Sequence, residues 1–218
     1  MLFPYARAHV RAYLEQHAAD PGVLADIAAL RAEHAAESPN EAGLPDWNPL
    51  HDRHSAEAYL YWLMDRDRKS TGLKSLQGRI WDEAYHSGEL KGKAEVYADV
   101  RPAFVRWRRN GILIAIFSSG SVQAQRNLFA NTTAGDLSPF LYDYFDTTTG
   151  PKRESQSYRL IAAALHQNPR DVLFVSDVTA ELDAAREAGM RTALCMRRAS
   201  AAGGAGGHAR IRSFDELA

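Results

Sequence analysis

The chain has 218 residues, 45% of them hydrophobic, which is enough to bury one core or a core with a smaller appended domain. Lys and Arg number 26 against 27 Asp and Glu, a formal net charge of -1, so the basic footprint of a nucleic-acid binder is missing. No apolar run approaches the length of a membrane span, and the N-terminus carries no secretory pattern. The single cysteine, Cys195, excludes an intrachain disulfide, and the sequence reads as that of a cytoplasmic protein.

Residues 1–98 read as helices and loops. "YARAHVRAYLEQHA" is a helix, and "ESPNEAGLPDWNPLHD" is a loop dense in Pro, Asn, Asp and Gly. "SAEAYLYWLMDRDRK" is a second helix with Ser55 as its N-cap. In "RKSTGLKSLQGRIWDEAYHSG", Leu73, Leu76, Ile80 and Ala84 recur at helical spacing with Gln77 and Trp81 beside them, and Gly88 closes the run.

From Asp99 the texture changes. A helix runs from Pro102 to Asn110, with Pro at its start and Gly111 just past its end. There follow the strand "ILIAIF", a helix from about Val122, the strand "YDYFDTTT" and the helix "SQSYRLIAAALHQ", whose apolar stripe is Tyr158, Ile161, Ala162 and Leu165. The strand "DVLFVSD", the helix "TAELDAAREAGM", the strand "RTALCM", a Gly/Ala loop and a short strand with a turn complete the chain. Apolar strands alternating with amphipathic helices predict an α/β fold, a parallel sheet covered on both faces. Residues 1–98 form one helical region and 99–218 an α/β core. Gly203, Gly204, Gly206 and Gly207 follow a strand but lack the Lys-Ser or Lys-Thr pair of a nucleotide loop, and read as a surface loop. Cys195, inside "TALCM", reads as a small core residue.

Three strand ends carry polar groups, and in an open α/β sheet ligands sit beyond the carboxyl ends of the strands. Ser118-Ser119-Gly120, where a strand feeds a helix, offers hydroxyls and backbone N–H groups to an anion; N-capping by Ser121 alone is the competing explanation. Asp177 closes "DVLFVSD", where it would bind Mg²⁺ or cap the next helix, with Ser176 and Glu181 behind it or serving as cap and surface residues. Lys152 follows "YFDTTT" and a Gly-Pro turn, a compact charge for a phosphate oxygen or an ordinary solvated lysine.

Hydroxyl, lysine and late acid in this order resemble the haloacid-dehalogenase-like phosphohydrolases. "DRKSTGLKSLQGRIW", "YADVRPAFVRWRRNGI", "FSSGSVQAQRNLFA", "GDLSPFLYDYFDTTTGPKRESQSYR" and "VLFVSDVTAELDAAREAGMRTAL" together resemble the enolase-phosphatase (acireductone synthase) family of methionine salvage, a branch of amino-acid biosynthesis. That resemblance implies a haloacid-dehalogenase-like parallel-sheet core, Rossmann-like, with a helical cap that closes over the site. It also implies a Mg²⁺-dependent monomer with no nucleic-acid or membrane partner. Its substrate would be 2,3-diketo-5-methylthiopentyl-1-phosphate, first enolised and then dephosphorylated to 1,2-dihydroxy-3-keto-5-methylthiopentene. By position, Ser118 and Ser119 would bind substrate, Lys152 would hold the phosphate and Asp177 the metal. Arg68, Lys69, Lys74 and Gln77 are candidate cap contacts, with a solvated helix face as the alternative.

The resemblance carries one departure. In the family a buried strand ending in Asp-x-Glu precedes all of this; its Asp is the nucleophile, its Glu the acid–base, and the strand is central, between those carrying Ser118 and Asp177. Here the chain begins "MLFPYARAHV", so the first central strand is absent and no catalytic residue is assigned; Asp20 and Asp26 lie in helical sequence. The expectation is a mis-set start, with an apolar strand ending in Asp-x-Glu in the reading frame upstream of Met1, and an inactive chain as it stands. The alternatives are a non-catalytic phosphate-binding fragment or degenerate relative, and a receiver-like signalling domain.

Overall fold

The structure, a computed structural model, describes residues 2–37, 41–197 and 206–217 and falls into two units, Met1–Lys91 and Gly92–Ala218. The textural break in the sequence lies at 98/99. Residues before it group with the second unit because Ala94 exchanges backbone hydrogen bonds with Asn131 and Thr133.

The first unit contains α1 (Leu2–Gln16), α2 (Pro21–Ala36), α3 (Asp52–Asp65) and α4 (Thr71–His86). α1 and α2 each pack on both α3 and α4. Val10, Leu14, Val23, Leu30, Leu60, Leu63 and Leu76 are buried between them, each worth about 1.5–3 kcal/mol of transfer free energy. The predicted α4 stripe is buried, Gln77 and Trp81 included, and Gly88 leaves the helix at φ +87°, a conformation that favours glycine. α2 holds Asp26, in helical sequence as expected, but the bounds of the helix are not legible in its periodicity, since its alanines blur the apolar face. Its start signal is nevertheless present: Asp20 accepts from the Gly22 and Val23 N–H groups, and Pro21 stands in the first turn. Ser55 is not an N-cap. α3 begins three residues earlier, and the buried Ser55 hydroxyl instead accepts the Asn48 N–H, pinning the preceding loop to the helix.

The second unit alternates α5 (Val100–Arg109), β1 (Ala115–Phe117), α6 (Val122–Ala130), β2 (Asp143–Phe145), α7 (Ser155–Ala164), β3 (Leu173–Ser176), α8 (Thr179–Glu187), β4 (Arg191–Cys195) and β5 (Ala209–Ile211). The three strand pairings among the described residues are parallel, with α6 crossing over between β1 and β2 and α8 between β3 and β4. β1 is shorter than "ILIAIF" suggests, because the Ile112 N–H turns back to the Trp107 carbonyl and the start of the run is spent leaving α5. Ile112 and Leu113 are consequently 41% and 37% exposed. Gly203 and Gly204 lie outside the described residues. Gly206 and Gly207 form a positive-φ turn into β5, so a strand follows where a nucleotide loop needs a helix.

The strands form two ladders, β1-β2 and β3-β4-β5, with no pairing between β1 and β3 among the described residues. α7 serves both. Its buried Tyr158 ring lies 5.6 Å from Phe117 on β1 and 4.8 Å from Phe174 on β3. Among the described residues β1 and β3 each have one paired edge. The Ser118 N–H bonds to Phe145, and the Ile114 carbonyl accepts from Tyr142, so alternation turns the peptide groups of Ala115 and Phe117 away from β2. The Val172 carbonyl accepts from Arg191, which turns Leu173 and Val175 away from β4 in the same manner. Both strands are half-buried, whereas strands inside a parallel sheet are covered on both faces.

Candidate functional site

At the end of β1 the chain bends through Ser118-Ser119-Gly120-Ser121 into α6. The Ser118 Oγ accepts the Gly120 N–H at 3.1 Å, and the Ser121 Oγ accepts the Ala124 N–H at 3.2 Å, a true N-cap. A carboxylate takes a third donor: Asp146, buried at the end of β2, accepts the Val122 N–H at 3.2 Å. Part of the expected anion site is therefore filled internally. Ser119 is exposed and makes no hydrogen bond among the described residues, so its hydroxyl is the one left wholly available to a ligand.

Lys152 stands beyond β2 on the loop into α7. Its Nζ donates to Glu181 Oε2 at 2.7 Å and lies 5.7 Å from the Phe117 ring centre, next to Ser118. The Lys152 carbonyl accepts the Tyr158 hydroxyl at 2.6 Å, which anchors the loop on α7. Burial, and then the charge of Glu181, push the Tyr158 phenol far up, so it remains a donor. Glu181 is buried on α8 and also accepts the Ser176 hydroxyl at 3.0 Å. It is therefore the buried counter-charge of Lys152 rather than a surface residue. An ammonium has three protons, and one bond to Glu181 leaves two for a ligand.

Asp177, directly after Ser176, is exposed and makes no hydrogen bond or ion pair among the described residues. It does not cap α8, whose first turn is preceded by Val178 with no side-chain cap. A carboxylate left uncommitted at a strand end suits Mg²⁺, which takes one or two carboxylates and keeps several waters. Among the described residues no group of three or more His, Cys, Asp and Glu side chains gathers around it. The contact chain from Phe117 through Lys152 and Glu181 to Ser176 joins the neighbours of Ser118 and Asp177.

Sequence reasoning missed Asp146 and Gln125 here. Asp146 closes its strand just as Asp177 does, and that pattern was readable. Gln125 has no such signal, since only the fold reveals what its amide reaches. Of the proposed cap contacts, Arg68 is bound to Glu37 and Glu41, Gln77 is buried in α4, and Lys69 is exposed. Cys195 is half-buried in β4, and burial raises its thiol pKa, consistent with an inert core residue.

The parallel strands end in a hydroxyl loop, a paired lysine and an aspartate without a partner among the described residues, and residues 3–189 match the haloacid dehalogenase-like hydrolase family. The chain belongs to that family. It is 56% identical over its whole length to the enolase-phosphatase E1 of Synechococcus elongatus, covering 89% of that relative. It is 46% identical to the enolase-phosphatase E1 of Sorangium cellulosum, again over the whole chain and 88% of the relative. Among solved structures, the UTR4 protein of Saccharomyces cerevisiae superposes with a TM-score of 0.74 at 32% identity, over 100% of this chain and 91% of that one. Rhodobacter sphaeroides CbbY, at 16% identity and a TM-score of 0.56 over 98% of this chain and 89% of its own, shares the fold.

Proposed function

We propose that this chain carries the phosphate- and metal-holding part of an enolase-phosphatase, acting on a small phosphorylated diketone such as 2,3-diketo-5-methylthiopentyl-1-phosphate. The observation that carries the reading is the 56% identity with an enolase-phosphatase over the full chain. The geometry supports it. Ser119 has a free hydroxyl to donate to the substrate, Ser118 keeps its proton while accepting from Gly120, and Lys152 has two ammonium protons for phosphate oxygens. Asp177 would hold Mg²⁺, which supplies positive charge where phosphoryl oxygens become more negative. The protein's own contribution is to pre-set these donors so that little reorganisation accompanies the reaction.

The acid pair that completes such a site would arrive on a further strand between β1 and β3. Neighbouring strands lie about 4.8 Å apart, so one inserted strand holds its flanking pair about 10 Å apart. Phe117 and Phe174 both touch the Tyr158 ring, at 5.6 and 4.8 Å, which is compatible with that spacing. The outward peptide groups of Ala115, Phe117, Leu173 and Val175 would become its partners.

The experiment measures Mg²⁺-dependent phosphate release by this chain alone, by an upstream-extended chain, and by this chain plus a separate apolar peptide ending in Asp-x-Glu. Turnover in the extended or complemented forms is expected, and Asp177→Asn in either should lose about a hundredfold or more. Release in none of them favours a phosphate-binding module without turnover. Near-normal turnover in Asp177→Asn removes the metal assignment.

A further inference from the structure

Gln125 sits one turn into α6, only 5% exposed, and both protons of its amide are committed. Nε2 donates to the Gly120 carbonyl in the serine loop and to the Phe145 carbonyl at the end of β2, each at 2.9 Å. The Phe145 carbonyl also accepts the Ser118 N–H at 3.1 Å. The Phe145 carbonyl thus receives the serine loop through Ser118 and α6 through Gln125, and the next residue, Asp146, accepts from Val122 at the start of α6. Two carbonyl partners fix the orientation of the amide, because only the NH2 end can face both. The other end, Oε1, is buried with no partner.

That orphan is informative. A methionine would fill the same volume without burying an acceptor, so packing alone does not call for glutamine. What glutamine adds is a two-pronged donor between the serine loop and the strand that leads to Lys152. We infer that Gln125 is a positioning residue: it clamps Gly120 to the end of β2 and so holds Ser118 and Ser119 in register with the Lys152 loop. It touches no ligand itself, and the inference rests on the phosphate-site reading above only for its consequence.

The test follows amide hydrogen exchange residue by residue in the full chain, together with titration of inorganic phosphate. In Gln125→Met, exchange at Ser118 and Gly120, the loop amides that are hydrogen-bonded, should rise about tenfold, the loss expected for one or two buried hydrogen bonds, while the interior of α6 stays protected. Phosphate binding should weaken by about the same factor. Lys152→Met should weaken phosphate binding and leave loop exchange unchanged, which separates ligand contact from positioning. Unchanged loop exchange in Gln125→Met overturns the clamp. A uniform rise across α6 also overturns it, since that marks a packing role. If the native chain binds no phosphate, the phosphate reading fails and the exchange arm still decides the clamp. Should Gln125→Met not fold, the native side-chain amide decides: its two protons must exchange more slowly than a free glutamine amide, and equal rates reject the inference.

Discussion

Lys152 is neutralised before any ligand arrives, because Glu181 lies 2.7 Å away in a largely buried pair. A phosphate must therefore share the ammonium with a carboxylate that repels it. Glu181→Gln keeps the hydrogen bond and removes that repulsion, so inorganic phosphate should bind about fivefold tighter, measured by titration calorimetry at low salt. Weaker binding would show that Glu181 acts mainly by orienting Lys152. A second charged cluster has a structural consequence. Asp99 accepts from Arg197 at 2.6 Å, from the Ser213 hydroxyl at 2.9 Å and from the Phe214 N–H at 2.6 Å, tying the end of the chain and the segment after β4 to the start of α5. Burial alone would raise its pKa, but the Phe214, Arg197 and Ser213 bonds outweigh that and leave it lowered. A depressed carboxyl contributes stability that is present above its unfolded pKa, about 4, and lost as pH falls through its folded value. Asp99→Ala should destabilise by about 3 kcal/mol at neutral pH by stranding the Arg197 guanidinium, and the deficit should shrink below about pH 4. Urea unfolding at pH 7 and pH 3 measures both.

At the level of elements, β1 and β3 each offer one edge that is paired and one that is unpaired among the described residues, a directional asymmetry that exchange experiments resolve. The N–H groups of Ile116 and Phe174 point into their ladders, whereas those of Ala115, Phe117, Leu173 and Val175 point outward. In the chain alone the first pair should exchange slowly and the other four faster by about tenfold or more, because half-exposed edges remain open to water. Uniform protection along either strand would mean that the edge is already covered. The α6 cap has a smaller effect. Ser121→Ala removes the acceptor of the Ala124 N–H and should cost about 1 kcal/mol. The Asp146 bond to Val122 would remain, so α6 should persist with a frayed first turn, visible as lost protection at Ala124.

For the molecule as a whole, a peptide that adds a strand between β1 and β3 should raise the thermal midpoint by several degrees, about 2–4 °C per kcal/mol for a chain of this size, and should slow exchange at the four outward amides together. A shift without those amides would place the peptide elsewhere. The order of helices and strands after Asp99 was legible because the parallel strands are apolar runs and each crossover helix must carry one apolar stripe: Tyr158, Ile161, Ala162 and Leu165 are all buried as their spacing required. The positions of Ser118, Ser119, Lys152 and Asp177 at or just beyond strand ends were legible because each ends or follows such a run. The haloacid dehalogenase-like family could be read from the same motifs, and the match over residues 3–189 bears it out. Other features belong to distances between segments that periodicity does not encode. The pairing of Lys152 with Glu181 spans 29 residues, the bond from Gln125 to Phe145 spans 20, and the division of the strands into two ladders depends on which edges meet. Local sequence set what each segment is, through propensity and apolar pattern. Only the tertiary structure decided which polar groups are spent on one another and which, like Ser119 and Asp177, have no hydrogen-bond partner among the described residues, because partners are assigned by contact in space.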